Sequence, residues 1–158
     1  MTLQSQKSSV AGGAEVTLRR ATSADLGAVQ SLLSDNTLPL EGVSMDLNDF
    51  LIAESGGDLA GVIGMERYGA YGLLRSAAVR RDLKSRGIGR KLVDRLLALA
   101  REQGVSDLYL LTTTAEEYFP AFGFKIVPRS AVPGALSASA EFQGACPDTA
   151  IVMHLPLR

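Results

Sequence analysis

The spacing of apolar positions predicts a chain of short strands interrupted by two amphipathic helices. Alternation over residues 16–20 favours a first strand. A helix should follow, because Thr22 or Ser23 can cap it and Asp25 lies in its first turn. Its apolar face is formed by Leu26, Val29, Leu32 and Leu33.

Three apolar runs then follow with only short turns between them. Residues 50–54 and 59–68 flank a Gly-rich turn, which is typical of a hairpin. A second turn leads into a run over residues 73–79. Successive strands joined by short turns predict an antiparallel meander.

The second helix should run from about residue 88 to 103, with one broad apolar face and Gly104 as its stop. A buried strand over residues 108–113 follows it, so the strands on either side should be parallel and joined by a right-handed crossover. Beyond it we expect a short helix over residues 115–122 and strands over 124–127 and 150–155. The pattern predicts an α+β fold around a mixed, mostly antiparallel sheet.

Composition places the chain among ordinary globular proteins. It has 158 residues, 46% of them apolar, and a net charge of −1, which argues against a nucleic-acid or membrane-surface binder. A single cysteine, Cys146, excludes a disulfide framework and a multi-thiolate metal cluster, and suits a reducing cytoplasm. Residues 1–13 lack the apolar core of a signal peptide and are expected to be a flexible tail, with one domain over 14–158.

Positive charge is concentrated where the third strand of the meander turns into the second helix. Six of the 16 Lys and Arg residues lie between positions 80 and 91, against one acid. Gly87 and Gly89 stand at the helix start, where backbone amides can approach an anion closely. The segment therefore predicts a polyphosphate site.

The stretch Lys84-Ser85-Arg86-Gly87-Ile88-Gly89 resembles the (Gln/Arg)-x-x-Gly-x-(Gly/Ala) signature of the GNAT superfamily of acyl-CoA N-acetyltransferases. Lys84 departs from the usual first residue, and Arg81 stands where proline is common. The aromatic segment over residues 118–124 is similar to that family's helix ending in Gly-Phe. The resemblance implies α/β/α layers and a sheet splayed at its central parallel strand pair.

A narrower resemblance is to the acetyltransferases encoded in bacterial arsenic-resistance operons. It rests on residues 73–79 (LLRSAAV), 110–114 (LLTTT) and 127–129 (VPR). The tail over residues 137–142, followed by Cys146-Pro147, adds to it. The LLTT run and the later Gly-Phe are also similar to the acetyltransferase domain of N-acetylglutamate synthases.

The resemblance implies acetyl-CoA as co-substrate, with no metal. Its pyrophosphate would lie on the amides and side chains of the turn, and its thioester beside the preceding strand. The positions that the family pattern assigns to acetyl-CoA binding are Ala78, Val79, Arg80, Lys84, Ser85, Arg86, Gly87, Ile88, Gly89 and Arg90.

Two residues are candidates for proton transfer. Glu66, on the strand before the Gly69 turn, is a candidate base acting through water, and a solvent-facing glutamate is the alternative. The family often has a tyrosine acid in the aromatic helix, but that register gives Phe119 here. Tyr118, one residue away, is the remaining candidate.

Arg75 is the most informative residue for the acceptor. An arginine in a buried-looking strand needs an anionic partner, and its planar fork suits a carboxylate or an arsonate-type group. A structural salt bridge to Glu54 or Glu66 is the alternative. Ser76 could join Arg75 on one surface only if the strand contains a bulge, and Arg129 could close the pocket, with Ser139 and Phe142.

These observations predict an N-acetyltransferase acting on a small acidic amine, either a glutamate-like amino acid or an arsenical analogue of one. An N-acetylglutamate-synthase-like metabolic enzyme and a non-catalytic acyl-CoA-binding regulator are the alternatives. The expected partners are small molecules, with neither nucleic acid nor membrane, and the resemblance leaves room for a homodimer.

Overall fold

A computed structural model describes residues 15–43, 45, 47–146 and 149–157 of the chain. The expected tail over residues 1–13 lies outside this part. The strands are β1 (Val16–Arg20), β2 (Phe50–Ser55), β3 (Asp58–Tyr68), β4 (Tyr71–Val79), β5 (Asp107–Thr112), β6 (Lys125–Val127) and β7 (Ile151–Pro156). The α-helices are α1 (Leu26–Asp35) and α2 (Ile88–Glu102).

The seven strands form one mixed sheet in the order β1-β2-β3-β4-β5-β7-β6. Strands β1 to β4 are an antiparallel meander, β4 and β5 are parallel, and β7 is antiparallel to both β5 and β6. The predicted antiparallel meander, the parallel strand pair on either side of α2 and the fold class are confirmed. Because α2 joins the two parallel strands, its N-terminus lies at the carboxyl end of β4.

Because side chains alternate along each strand, apolar residues pack on both faces of the sheet. Leu51 and Ala53 of β2 pack with α2, whereas Phe50 and Ile52 pack with α1. A third cluster, which includes Leu73 and Leu136, continues the second face over β4, β5 and β7. The sheet is therefore covered by α2 on one side, and on the other by α1 and the segment between β6 and β7.

That segment is built from short turns rather than from regular helices. It contains one-turn helices over Arg129–Ala131 and Gly134–Ala138, then a wide turn over Glu141–Ala145. The helix expected over residues 115–122 is wrong in its length, since only Phe119–Phe122 is helical. The side chain of Thr112 accepts the Ala115 amide at 2.9 Å, and Pro120 has no N–H to donate to the preceding turn.

Candidate active site

The parallel strands at the centre of the sheet separate after four paired residues. Pairing runs from Tyr71 opposite Asp107 to Leu74 opposite Leu110, although β4 continues to Val79. Beyond the last pair a cleft of about 540 Å³ opens between the strands and is closed at one end by the start of α2. Backbone polar groups of β4 that would face β5 in a continuous sheet face this cleft instead.

A bulge in β4 lies where the separation begins. Opposite β3, the register passes from Gly64 paired with Arg75 to Val62 paired with Ala78, so β4 carries one extra residue. Ser76 takes a φ of +60°, which is uncommon for a residue with a side chain. A bulge bends the strand and redirects its side chains. Arg75 and Ser76 consequently both line the cleft, and Arg75 Nε donates to Ser76 Oγ at 3.0 Å.

The far end of the cleft is formed by the turn into α2. Ser85 and Gly87 both have left-handed backbones, with φ of +68° and +81°, and such alternation turns successive amides toward one point. The Lys91 amide donates to the Gly87 carbonyl at 3.1 Å, so the amides of Ile88, Gly89 and Arg90 precede the first helical hydrogen bond. With the positive end of the helix dipole, this turn suits an anion.

Basic side chains surround the same turn. Lys84 and Arg90 line the cleft, and Arg90 lies over the Phe122 ring at 5.2 Å. Among the described residues, Lys84 and Arg86 form no ion pair that would neutralise them. The turn therefore presents both backbone donors and uncompensated positive charge.

Arg75 connects three segments at the other end of the cleft. Its side chain is fully buried, and Nη1 donates to Glu66 Oε2 of β3 at 2.5 Å. Nη2 donates to the Glu41 carbonyl at 2.7 Å, in the loop after α1. Nε lies 3.6 Å from Glu141 Oε2, in the segment between β6 and β7. Arg75 thus lines the cleft and also holds these three segments together.

Glu66 has little freedom in this arrangement. Besides its bond to Arg75, its other oxygen accepts the Tyr68 hydroxyl at 2.5 Å. Burial and this bond to Glu66 raise the pKa of Tyr68 to about 12. Glu66 is also not among the residues that line the cleft. Its geometry suits a fixed negative charge that holds Arg75.

Glu141 is a second carboxylate at the acceptor end, and it does line the cleft. It is 4% exposed, and burial raises its pKa to about 7, against the opposing effect of Arg75. The neighbouring Cys146 thiol also lines the cleft, and burial raises its pKa to about 11, so it is protonated at neutral pH. The cleft has an anion site at one end and a buried carboxylate beside an arginine at the other. This arrangement suits group transfer from a phosphate-bearing donor.

Comparison with known proteins agrees with this geometry. The sequence profile of the Acetyltransferase (GNAT) family matches residues 27–124, which is more than half of the chain. The chain belongs to the GNAT acetyltransferase family. The match covers α1 from its second residue, strands β2 to β5, the basic turn, α2 and the Gly-Phe segment.

One curated protein and two solved structures are similar to this GNAT chain. It is 28% identical over 95 residues to an uncharacterized N-acetyltransferase of Chlorobaculum tepidum, which covers 60% of the chain and 61% of that protein. The fold is similar to that of N-acetylglutamate synthase from Neisseria gonorrhoeae complexed with coenzyme A and N-acetyl-glutamate, with a TM-score of 0.77 and 22% identity. The similarity covers 96% of this chain but only 37% of that chain. The fold is also similar to that of Rv2747 from Mycobacterium tuberculosis in complex with CoA, with a TM-score of 0.74, 23% identity, and 90% and 99% of the two chains covered.

Most positions predicted to hold the donor do line the cleft of this GNAT domain. They are Ala78, Val79, Lys84, Ser85, Gly87, Ile88, Gly89 and Arg90. Arg80 and Arg86 are not among the lining residues. The Arg80 amide donates to the Ala60 carbonyl of β3 at 2.8 Å, and its side chain pairs with Asp82 at 2.7 Å.

The Arg80 bond also identifies which amide of β4 faces the cleft. Donor directions alternate along an antiparallel strand, so if the Arg80 amide points to β3, the Val79 amide points the other way. Of the three positions predicted for the thioester, Val79 therefore has the amide with the required direction.

Of the remaining predicted residues, some line the cleft and others do not. Tyr118 lines the cleft, and a Cβ placed on Gly89 would lie 3.1 Å from its hydroxyl oxygen. Arg129 is not among the lining residues; its guanidinium lies 5.9 Å from the Phe142 ring and donates to the Ala150 carbonyl at 3.4 Å. Of the two proposed salt-bridge partners of Arg75, Glu66 makes the contact and Glu54 pairs with Arg19 instead.

Sequence reasoning missed Glu141. The residue lies in a segment without periodicity, and its sequence signal was only an isolated acid among Ala and Ser.

Within the described ranges no cluster of three His, Cys, Asp or Glu side chains could hold a metal ion. The helices described there are also too short or too polar to cross a membrane.

Proposed function

We propose that this chain transfers the acetyl group of acetyl-CoA to the amine of a small acceptor that carries an acidic group. The observation that carries the proposal is the cleft between β4 and β5, with the anion-binding turn at one end and Arg75 at the other. Direct transfer needs donor and acceptor in one cavity, which this cleft provides.

The main-chain geometry supports the donor half of this proposal. The CoA pyrophosphate would lie on the amides of residues 86–90, with Lys84 and Arg90 beside it. Pantetheine would pair with the cleft-facing edge of β4. The Val79 amide would then be the donor that polarises the thioester carbonyl. One preorganised donor of this kind contributes about 2.7–4 kcal/mol to transition-state stabilisation.

The acceptor half is supported by charge complementarity. Arg75 Nε and the Glu141 carboxylate lie 3.6 Å apart, an arrangement that matches a zwitterion with adjacent acid and ammonium groups. A glutamate-like amino acid has this form, as does an arsenical analogue. An arsenic-resistance role in the cytoplasm rests on the sequence resemblance.

One assay separates the candidate functions. Release of free thiol from acetyl-CoA is measured with L-glutamate, L-glutamine, L-aspartate, an arsenical amino acid and putrescine, and CoA affinity is measured by calorimetry. We expect thiol release with acidic amino acids and little with putrescine. Turnover of L-glutamate alone would favour the metabolic enzyme. CoA binding without any thiol release would favour the regulator, and no CoA binding would refute both.

A further inference from the structure

Glu141 is a buried cleft carboxylate whose oxygens are less constrained than those of Glu66. Its nearest charged neighbour, Arg75 Nε, lies 3.6 Å away, beyond hydrogen-bond distance, and donates to Ser76 instead. The carboxylate also forms a hydrogen bond with the Cys146 thiol. Glu66, in contrast, is held on both oxygens at 2.5 Å.

The backbone fixes Glu141 in this position. Its amide donates to Ser139 Oγ at 3.2 Å, and its carbonyl accepts the Cys146 amide at 3.3 Å. Ser139 is itself 1% exposed. The wide turn over Glu141–Ala145 therefore places one acid against the bulged end of β4 and holds it there.

The surrounding charges keep Glu141 close to half-ionised at neutral pH. Burial and Glu66 favour the protonated acid, whereas Arg75 and the Cys146 thiol favour the carboxylate, giving a pKa of about 7. The Tyr68 hydroxyl donates to Glu66, and the charge of Arg129 acts to lower the pKa of Cys146. A base is most effective when its pKa is close to the working pH.

We propose that Glu141 is the general base of this site, accepting a proton from the acceptor's ammonium before acetyl transfer. The assignment rests on the transferase function proposed above. It gives Glu66 the separate task of balancing the charge of Arg75.

The proton and bond changes balance without another reactant. One ammonium proton passes to the Glu141 carboxylate, and the freed nitrogen lone pair forms the bond to the acetyl carbon. The carbon–sulfur bond breaks, and its electron pair leaves on sulfur. The second nitrogen proton reaches that sulfur and gives CoA thiol. Glu141 then returns its proton to solvent, so the net products are the amide, CoA thiol and one proton.

The test compares wild type, Glu141→Gln and Glu102→Gln, all as full chains. Glutamine resembles the protonated acid that burial favours, so Glu141→Gln should fold. Glu102, exposed at the end of α2, is the matched control. Thiol release from acetyl-CoA is measured at saturating L-glutamate, or at the best acceptor of the panel, between pH 6 and 9.5.

We expect kcat of Glu141→Gln to fall 10- to 100-fold at pH 7, where only a small fraction of an amino acid's α-amine is neutral. The deficit should shrink toward pH 9.5, because neutral amine then arrives without needing a base. CoA affinity should stay within twofold of wild type in both variants.

A deficit that is the same at every pH, or no deficit, would refute the role of Glu141 and leave the transferase function standing. Absence of thiol release by the wild type with every acceptor would refute the function, and this inference with it. If Glu141→Gln does not fold, Glu141→Asp is measured instead. It should keep the wild-type shape of the pH profile at a lower kcat, and a different shape would overturn the proposal.

Discussion

The Arg75 guanidinium and the Glu66 carboxylate form a buried ion pair across β3 and β4, with Nη1 and Oε2 2.5 Å apart. The pair lies where the loop after α1 and the segment between β6 and β7 meet over the sheet. A Cβ on Gly42 would lie 2.7 Å from Arg75 Nη1, so this loop is packed tightly against the guanidinium. Fold stability therefore depends on the side chain that we propose as the binding group for the acceptor's acid.

Replacing Arg75 should destabilise the protein strongly. Arg75→Ala leaves the charge of Glu66 without its partner and removes the donors to the loop carbonyls of Pro39 and Glu41. Breaking a buried ion pair from one side costs about 3–5 kcal/mol. We expect a loss of that size in the free energy of unfolding, measured by urea denaturation.

Two variants show whether the pair is responsible. Arg75→Met combined with Glu66→Gln removes both charges and should recover much of the loss. Arg80→Ala breaks the exposed pair with Asp82 and should change stability far less. Equal losses in Arg75→Ala and Arg80→Ala would contradict the structural role of Arg75.

Regular elements could be predicted from the sequence because their periodicity is local. The meander and α2 each bury an alternating or helical set of apolar side chains, and Gly104 ends α2 with a φ of +81°. The basic turn could also be predicted, because its glycines and charges are adjacent in the chain. These features require no knowledge of distant contacts.

The acceptor end could not be predicted in the same way. The bulge at Ser76 depends on the register between β3 and β4, which no single strand reveals. Glu141 reaches the cleft only because a non-periodic segment folds back over β4. The short helix predicted over residues 115–122 forms only over Phe119–Phe122, because the Ala115 amide is bonded to the Thr112 side chain and Pro120 has no amide to donate.

A β-branched residue at Gly87 should impair CoA binding. Gly87 has a φ of +81°, and forcing an L-residue into this region costs about 1–2 kcal/mol. Open space surrounds the position, so the effect should come from the backbone of the anion-binding turn rather than from a clash. We expect Gly87→Val to weaken CoA affinity at least 10-fold by calorimetry.

Gly104 supplies a matched control at the opposite end of α2. It has the same φ of +81° and equally open surroundings. Gly104→Val should lose similar stability and keep CoA affinity. If both variants bind CoA as the wild type does, the turn is not the anion site.

Tyr118→Phe tests whether the tyrosine hydroxyl passes the second nitrogen proton on to the departing sulfur. The hydroxyl lies beside the start of α2 and lines the cleft, and burial raises the pKa of Tyr118, which keeps it protonated. Because a thiolate with a pKa near 8.5 leaves readily, we expect a fall in kcat of only about 10-fold with unchanged KM for acetyl-CoA. Tyr71→Phe removes a hydroxyl at the opposite end of β4 and should retain full activity. A kcat within twofold of wild type in Tyr118→Phe would exclude the tyrosine as the acid.

Glu141 should make the free energy of unfolding fall as pH rises, and Glu141→Gln should remove this dependence. Burial raises its pKa from 4.5 to about 7, so the folded state binds this proton more tightly than the unfolded state. The resulting stabilisation is complete below pH 4.5 and is lost as pH rises through about 7. At about 1.4 kcal/mol per unit of pKa shift, the full loss is about 3–4 kcal/mol. The free energy of unfolding of the wild type should therefore fall relative to Glu141→Gln between pH 5 and 8, measured by urea denaturation across that range. Parallel curves for the two proteins would show that the carboxyl is ionised throughout and that its burial does not control its titration.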